Sequence, residues 1–272
     1  MKIIFAYGQT CNQFWIYSNY IADALEKKQK IALWLPDISI KDYPNLLKSD
    51  FITYPLYSKR FIALLGYKNF IRITQLFLCN KFSVIFFNFF FNFFTKHDFI
   101  IADVGVKKSS YRVKYLKEIR TIFTPNLEIV TNVQNFFLDI RKDYQIVIGL
   151  HIRYGDYRQY LNGKYFYSLS QYKTLINNIT KLFPDKKLIF FIASNEQINV
   201  SELKPYNYTV FPNSNASLDL YSLSKADFLI GPPSTYSAWA SLLGDTPIYF
   251  IKDINKKIEI EDFIHIQQIW FE

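Results

Sequence analysis

Short apolar runs alternate with helix-spaced apolar series along much of the chain. Residues 2–7 read as a strand, Gly8 to Gln13 as a glycine-bearing loop and Phe14 to Lys27 as a helix, the opening βα unit of a doubly wound fold. Ile31 to Pro36 reads as a second strand, closed by proline. Residues 37–75 carry turn signals at Tyr43-Pro44-Asn45 and Tyr54-Pro55, and the least regular structure is expected there. Phe99 to Val104 is strand-like. Pro125 to Asp143 holds Leu127, Val130, Val133, Phe137 and Ile140 at helical spacing, and a domain boundary is expected near Lys142-Asp143.

The second half is more regular. Strands are predicted over 146–150, 187–193, 208–211, 227–231 and 246–250. Helices are predicted from Ser170 to Leu182, over 217–226, and from the hydroxyl-rich stretch after Pro233. The alternation predicts an α/β chain with two domains, residues 1–143 and 144–272.

Two strand ends carry the candidate chemistry. Ile146 to Ile152 is an apolar, β-branched run, the pattern of a strand buried on both faces. It breaks into His151, Arg153, Asp156 and Arg158, with Gly155 allowing a close backbone turn. Arg153 offers a planar, always-charged fork to phosphate oxygens. The second strand end is Gly231-Pro232-Pro233 followed by Ser234, Thr235, Tyr236 and Ser237, where exposed amides and hydroxyls at a helix start favour an anion. Ser194-Asn195-Glu196 is a further polar strand end, and Asn12-Gln13 stand at the first one. No GxGxxG or P-loop occurs, which leaves a dinucleotide or ATP reading little support.

His151-Ile152-Arg153-Tyr154-Gly155-Asp156-Tyr157 resembles the His-x-Arg-Arg-Gly-Asp-Tyr signature of bacterial α-1,2-fucosyltransferases, with protein O-fucosyltransferases and α-1,6-fucosyltransferases as more distant relatives. Ser234 to Ala240, with Asp219 in the preceding helix, is similar to that family's third motif, and Asn12, Gln13, Phe14 and Tyr17 match its first. Tyr154 departs from the pattern, standing where the family has a second arginine.

The resemblance implies a GT-B fold, two Rossmann-like halves facing across a cleft, the first on the acceptor side and the second holding the donor nucleotide. It also implies a metal-independent inverting glycosyltransferase that moves fucose from GDP-fucose to a glycan hydroxyl. No Asp-x-Asp occurs in the chain, so the diphosphate charge falls to Arg153 and to Ser234, Thr235, Tyr236 and Ser237. Asn195 or Asp219 is expected to read the base or ribose. Asp156 and His151 are the candidates for deprotonating the acceptor, and Asp156 could equally serve to orient Arg153. Asn12 and Gln13 are expected to line the cleft, and Arg158 to compensate for the missing arginine. The alternatives are a transferase using another nucleotide sugar and a non-catalytic, transferase-like binding or scaffold protein.

Composition adds further points. Half the chain is hydrophobic and 19% aromatic, ample for a core and unlike a disordered chain. Cys11 and Cys79 make no disulfide framework, and the N-terminal apolar run is too short for a secretory signal, so a cytoplasmic protein is expected. Residues 1–140 hold 18 Lys and Arg against 10 Asp and Glu, whereas 141–272 hold 14 against 13. That asymmetry, with the basic stretch Lys107 to Arg120, suits peripheral contact with an anionic membrane and a lipid-linked glycan acceptor in surface polysaccharide assembly, or a plain solvated face. Nucleic acid is not expected, since no recognised motif accompanies the charge. The eight phenylalanines of Phe82 to Phe94 have three readings: a buried core segment, an amphipathic segment in a membrane interface, and a self-association surface.

Overall fold

The computed structural model describes residues 2–6, 8–34, 42–53, 98–102 and 109–267, and the phenylalanine-rich stretch 82–94 lies outside them. The chain divides into two compact units, Met1–Asn126 and Leu127–Glu272.

In the first unit, strands β1 (Lys2–Ala6), β2 (Ile31–Trp34), β3 (Ile52–Thr53) and β4 (Asp98–Ala102) form a parallel sheet in the order β3-β2-β1-β4. Helix α1 (Thr10–Lys27) starts four residues earlier than the apolar spacing predicts. Gly8 takes φ +90°, which turns the chain directly after β1, and the Gln13 amide donates to the Gly8 carbonyl at 2.9 Å. Most of α1 is buried, as a helix with apolar residues on nearly every face must be. Phe14 packs its ring 4.9 Å from Tyr43, beside the short helix α2 (Asn45–Lys48), and 4.8 Å from Phe123, after α3 (Leu116–Ile122).

The basic stretch does not form a uniform cationic face among the described residues. Arg112 is buried with its guanidinium 4.8 Å from the Trp15 ring, and burial pulls its pKa down to about 10. Lys114 is paired with Glu26 at 2.6 Å. The charge count of a sequence carries no information about which way each cation points.

The second unit begins with α4 (Leu127–Ile140), which the sequence reading assigns to the first domain. Its Phe136 and Phe137 lie 6.0 Å from Phe191, and Phe136 lies 4.8 Å from Phe211, so its apolar stripe is spent on this unit's core. The remaining elements are β5 (Ile146–Ile152), α5 (Leu169–Thr180), β6 (Leu188–Ser194), β7 (Tyr208–Thr209), α6 (Ala216–Leu223), β8 (Phe228–Gly231), α7 (Thr235–Gly244) and β9 (Ile248–Phe250). The cap of α5 is Ser168 rather than Ser170. Ser168 accepts from the Gln171 amide nitrogen while Gln171 Oε1 accepts from Ser168 N at 2.8 Å, a reciprocal capping box.

The sheet is parallel with the order β7-β6-β5-β8-β9. The chain works outward from β5 through β6 to β7, then crosses back to place β8 on the other side of β5. The strand order therefore reverses between β5 and β8, and the carboxyl ends of those two strands flank the place where such sheets bind ligands. Side chains alternate between the two faces. Ile148, Leu150 and Ile152 join the core that includes Tyr172, Leu175, Ile176 and Ile179 of α5. On the opposite face a Cβ on Gly149 would strike Leu229, Leu223 and Ala226, so α6 and the turn after it lie directly over this residue.

Candidate active site at the sheet reversal

His151 is the next side chain on the α6 and α7 face of β5. It is 3% exposed, and its Nδ1 lies 2.7 Å from Ser237 Oγ in the first turn of α7. Its ring also packs 5.0 Å from that of Tyr236. Burial first, and the Arg153 charge second, hold its pKa down to about 3, so the imidazole is neutral near pH 7. As placed, His151 is a brace between β5 and α7.

The approach of α7 requires Gly231. A Cβ there would come within 3.0 Å of His151 Cβ, 3.1 Å of Ser237 Oγ and 3.2 Å of the His151 carbonyl. Ser234 caps the helix, its hydroxyl accepting from the Tyr236 amide at 3.1 Å, and Thr235 is the first helical residue.

After β5 the chain makes a 3-10 turn over Gly155–Arg158. Arg153 Nε and Nη2 donate to the two carboxylate oxygens of Asp156, each at 3.0 Å. Arg153 is 13% exposed and Asp156 51%, so the guanidinium is sheltered and its partner is wet. Tyr157, buried and pushed up to about pKa 12 chiefly by desolvation, donates its phenol to the Pro233 carbonyl at 2.5 Å. This bond and the His151–Ser237 contact tie the two strand-end turns together. Asn195, at the end of β6, accepts from the Tyr154 amide at 2.8 Å, and Gly155 at φ +52° leaves room for its Nδ2.

The structure thus brings His151, Arg153, Asp156, Asn195, Ser234, Thr235, Tyr236 and Ser237 around one sheet reversal. Asp219 joins them at one remove. Tyr236 donates its phenol to the Ala216 carbonyl at 2.7 Å, and Ser214 donates to the Asp219 carboxylate one turn into α6. Burial raises Asp219 to about pKa 6 against the lowering effect of Ser214. Arg158 is engaged elsewhere on the surface. It makes two 2.8 Å bonds to Glu196 and lies over Tyr154 and Phe166, at 5.5 and 5.3 Å from the ring centroids. Asn12 and Gln13 belong to the first unit, in the first turn of α1, where Gln13 is fully buried.

Sequence reading missed Tyr157, which links the two motifs. Its signal was present, since it closes the motif, but only the fold supplies Pro233 as its acceptor. Among the described residues, no three His, Cys, Asp or Glu side chains come together as a metal site.

The two shifted groups predict opposite acid behaviours. Between about pH 6.5 and 3 the unfolded chain binds a proton at His151 that the native state refuses, so this group lowers stability as pH falls through that window. Between about pH 6 and 3.8 the native state holds an extra proton at Asp219, so that group raises stability as pH falls. We expect the wild type's advantage in Tm over His151→Asn to shrink as pH is lowered from about 7 to about 4.5, and its difference from Asp219→Asn to move the other way. Differences that stay constant with pH would refute both assignments.

No protein-family model matches this sequence, and no curated protein matches it significantly. Solved structures do. POFUT1 in complex with GDP is 11% identical, covers 90% of this chain and 94% of its own, and superposes with a TM-score of 0.59. A mutant of Arabidopsis thaliana FUT1 in complex with GDP is 14% identical over 92% of this chain and 70% of its own, at 0.58. NodZ α-1,6-fucosyltransferase soaked with GDP-fucose is 14% identical over 97% of both chains, at 0.55. The chain therefore shares the fold of these fucosyltransferases, and the expected α/β architecture of two Rossmann-like halves is the one found.

Proposed function

We propose that the protein is a glycosyltransferase that uses a guanosine diphosphate sugar, with GDP-fucose as the donor and a glycan hydroxyl as the acceptor. The observation that carries this reading is that the strand end bearing Arg153 is tied to the Ser234–Ser237 turn, by Tyr157 to Pro233 and by His151 to Ser237, at the reversal between β5 and β8. Transfer by inversion leaves a nucleoside diphosphate with growing negative charge while the sugar becomes oxocarbenium-like. A sheltered guanidinium, the N-terminus of α7 and the hydroxyls of Ser234 and Thr235 answer that charge without reorganising, which is where preorganised electrostatics are worth most. His151 and Tyr157 position the donors. Asp156 orients Arg153, and its exposed carboxylate is the group available to accept the acceptor's proton. Asn195 is spent on the Tyr154 backbone, which leaves Asp219 to read the base or ribose.

Tyr154 stands in place of a second arginine, and Arg158 is neutralised by Glu196. Arg153 then carries a larger share of the phosphate contact in this reading. A surface-polysaccharide role, with the acceptor on a lipid carrier, would place the protein at a membrane face. No helix among the described residues is long and apolar enough to cross one.

A thermal-shift panel tests the donor class. GDP at a hundred times its Kd should stabilise the fold by about 2.7 kcal/mol, while UDP, CMP and NAD should not. Indifference to all four would overturn the reading, and a response to UDP alone would favour another nucleotide sugar.

A further inference from the structure

The motif loop carries an aromatic surface that the donor chemistry leaves unused. The Tyr157 ring lies 5.6 Å from the Arg153 guanidinium and 5.2 Å from the Tyr160 ring, which stacks on it at 28°. Tyr160 is 51% exposed and the adjacent Leu161 55%. Leu161 is also held at φ +48° and ψ +43°, in the left-handed region that a leucine seldom adopts. Its side chain recovers little burial there, while its carbonyl accepts from the Lys164 amide at 3.2 Å. Exposed amides, Gln159 and Asn162, border the pair.

We propose that Tyr160 and Leu161 form the acceptor subsite, a platform for the apolar C–H face of a pyranose ring whose rim hydroxyls meet Gln159 and Asn162. A sugar ring has one apolar face and a polar edge, and an exposed aromatic flanked by amides is the matching surface. The occupant follows from continuity with the phosphate site. Tyr157 is shared by Arg153 and Tyr160, so the platform continues from the guanidinium through one intervening ring. Asp156, two residues before Arg158 in the same turn, stands between them in sequence with an exposed carboxylate. This inference rests on the transferase reading.

The test uses the full chain and methyl glycosides of glucose, galactose and N-acetylglucosamine as probes, with saturation-transfer NMR in the presence of GDP. At least one glycoside should receive saturation on its ring C–H protons. Tyr160→Ala and Leu161→Gly, the latter compatible with the left-handed backbone, should weaken that binding tenfold or more. Tyr160→Phe should retain it, and GDP affinity should stay within about twofold in all three, which also reports that the variants fold. Contact with no glycoside while GDP binds, or unchanged glycoside binding in both Tyr160→Ala and Leu161→Gly, would overturn the platform and leave the donor reading standing. Failure of the wild type to bind GDP would instead remove the transferase reading, and the acceptor subsite with it.

Discussion

Replacing Arg153 by alanine is expected to lower transfer from GDP-fucose by about 10²-fold or more, the usual consequence of deleting one preorganised donor to a developing oxyanion. The guanidinium is 13% exposed, so water replaces it poorly, and its charge is pH-independent. Arg153→Lys should recover only part of the loss, because an ammonium cannot present the planar fork that Asp156 holds in place. The fall should appear in kcat as well as kcat/KM, since the charge being met grows toward the transition state. Steady-state assays of GDP release measure both. Near-normal turnover in Arg153→Ala would remove the residue from the mechanism.

Gly244→Ala is expected to cost about 2–4 kcal/mol of stability. Two effects oppose each other here. Alanine is the better helix former by about 1 kcal/mol, and Gly244 is the last residue of α7. A Cβ at this position, however, would run into the Ser224 carbonyl oxygen, which is backbone and cannot rotate away, and into Thr246 Oγ1 at 2.7 Å. The steric term wins. Ser224 follows α6, so the helix that starts at the Ser234–Ser237 turn would be pushed off the one that carries Asp219. For a chain of this size the loss should lower Tm by about 4–7 °C. An unchanged or raised Tm would show that the α6–α7 contact is looser than the backbone geometry implies.

Much of this was legible in the sequence, for identifiable reasons. The run Ile146–Ile152 could only be a strand with both faces covered, and the switch to Arg153 and Asp156 marked its carboxyl end. The two prolines and hydroxyls after Gly231 announced a helix start. What could not be read were the long-range partners. Nothing local says that Tyr157 reaches Pro233, that Asn195 is committed to the Tyr154 backbone, or that His151 is sealed beneath Tyr236. Helical spacing shows the apolar stripe of α4 without showing what it meets, and only the fold supplies Phe191 and Phe211 as its partners. Arg112 was counted among surface cations for a similar reason, since only the fold places Trp15 over it.

The Arg153–Asp156 fork has a consequence for selectivity. A tethered carboxylate already occupies two guanidinium N–H groups at an effective concentration that no freely diffusing ion matches. Chloride, sulfate or inorganic phosphate must dislodge or share with this internal rival while gaining little else. On the proposed reading, a nucleotide would bring its own anchors to the neighbouring helix start and to the region of Asp219, and would win the contest by adding them together. On that reading the aspartate would act as a threshold: it would weaken the response to every anion, and least for the ligand with the most points of attachment.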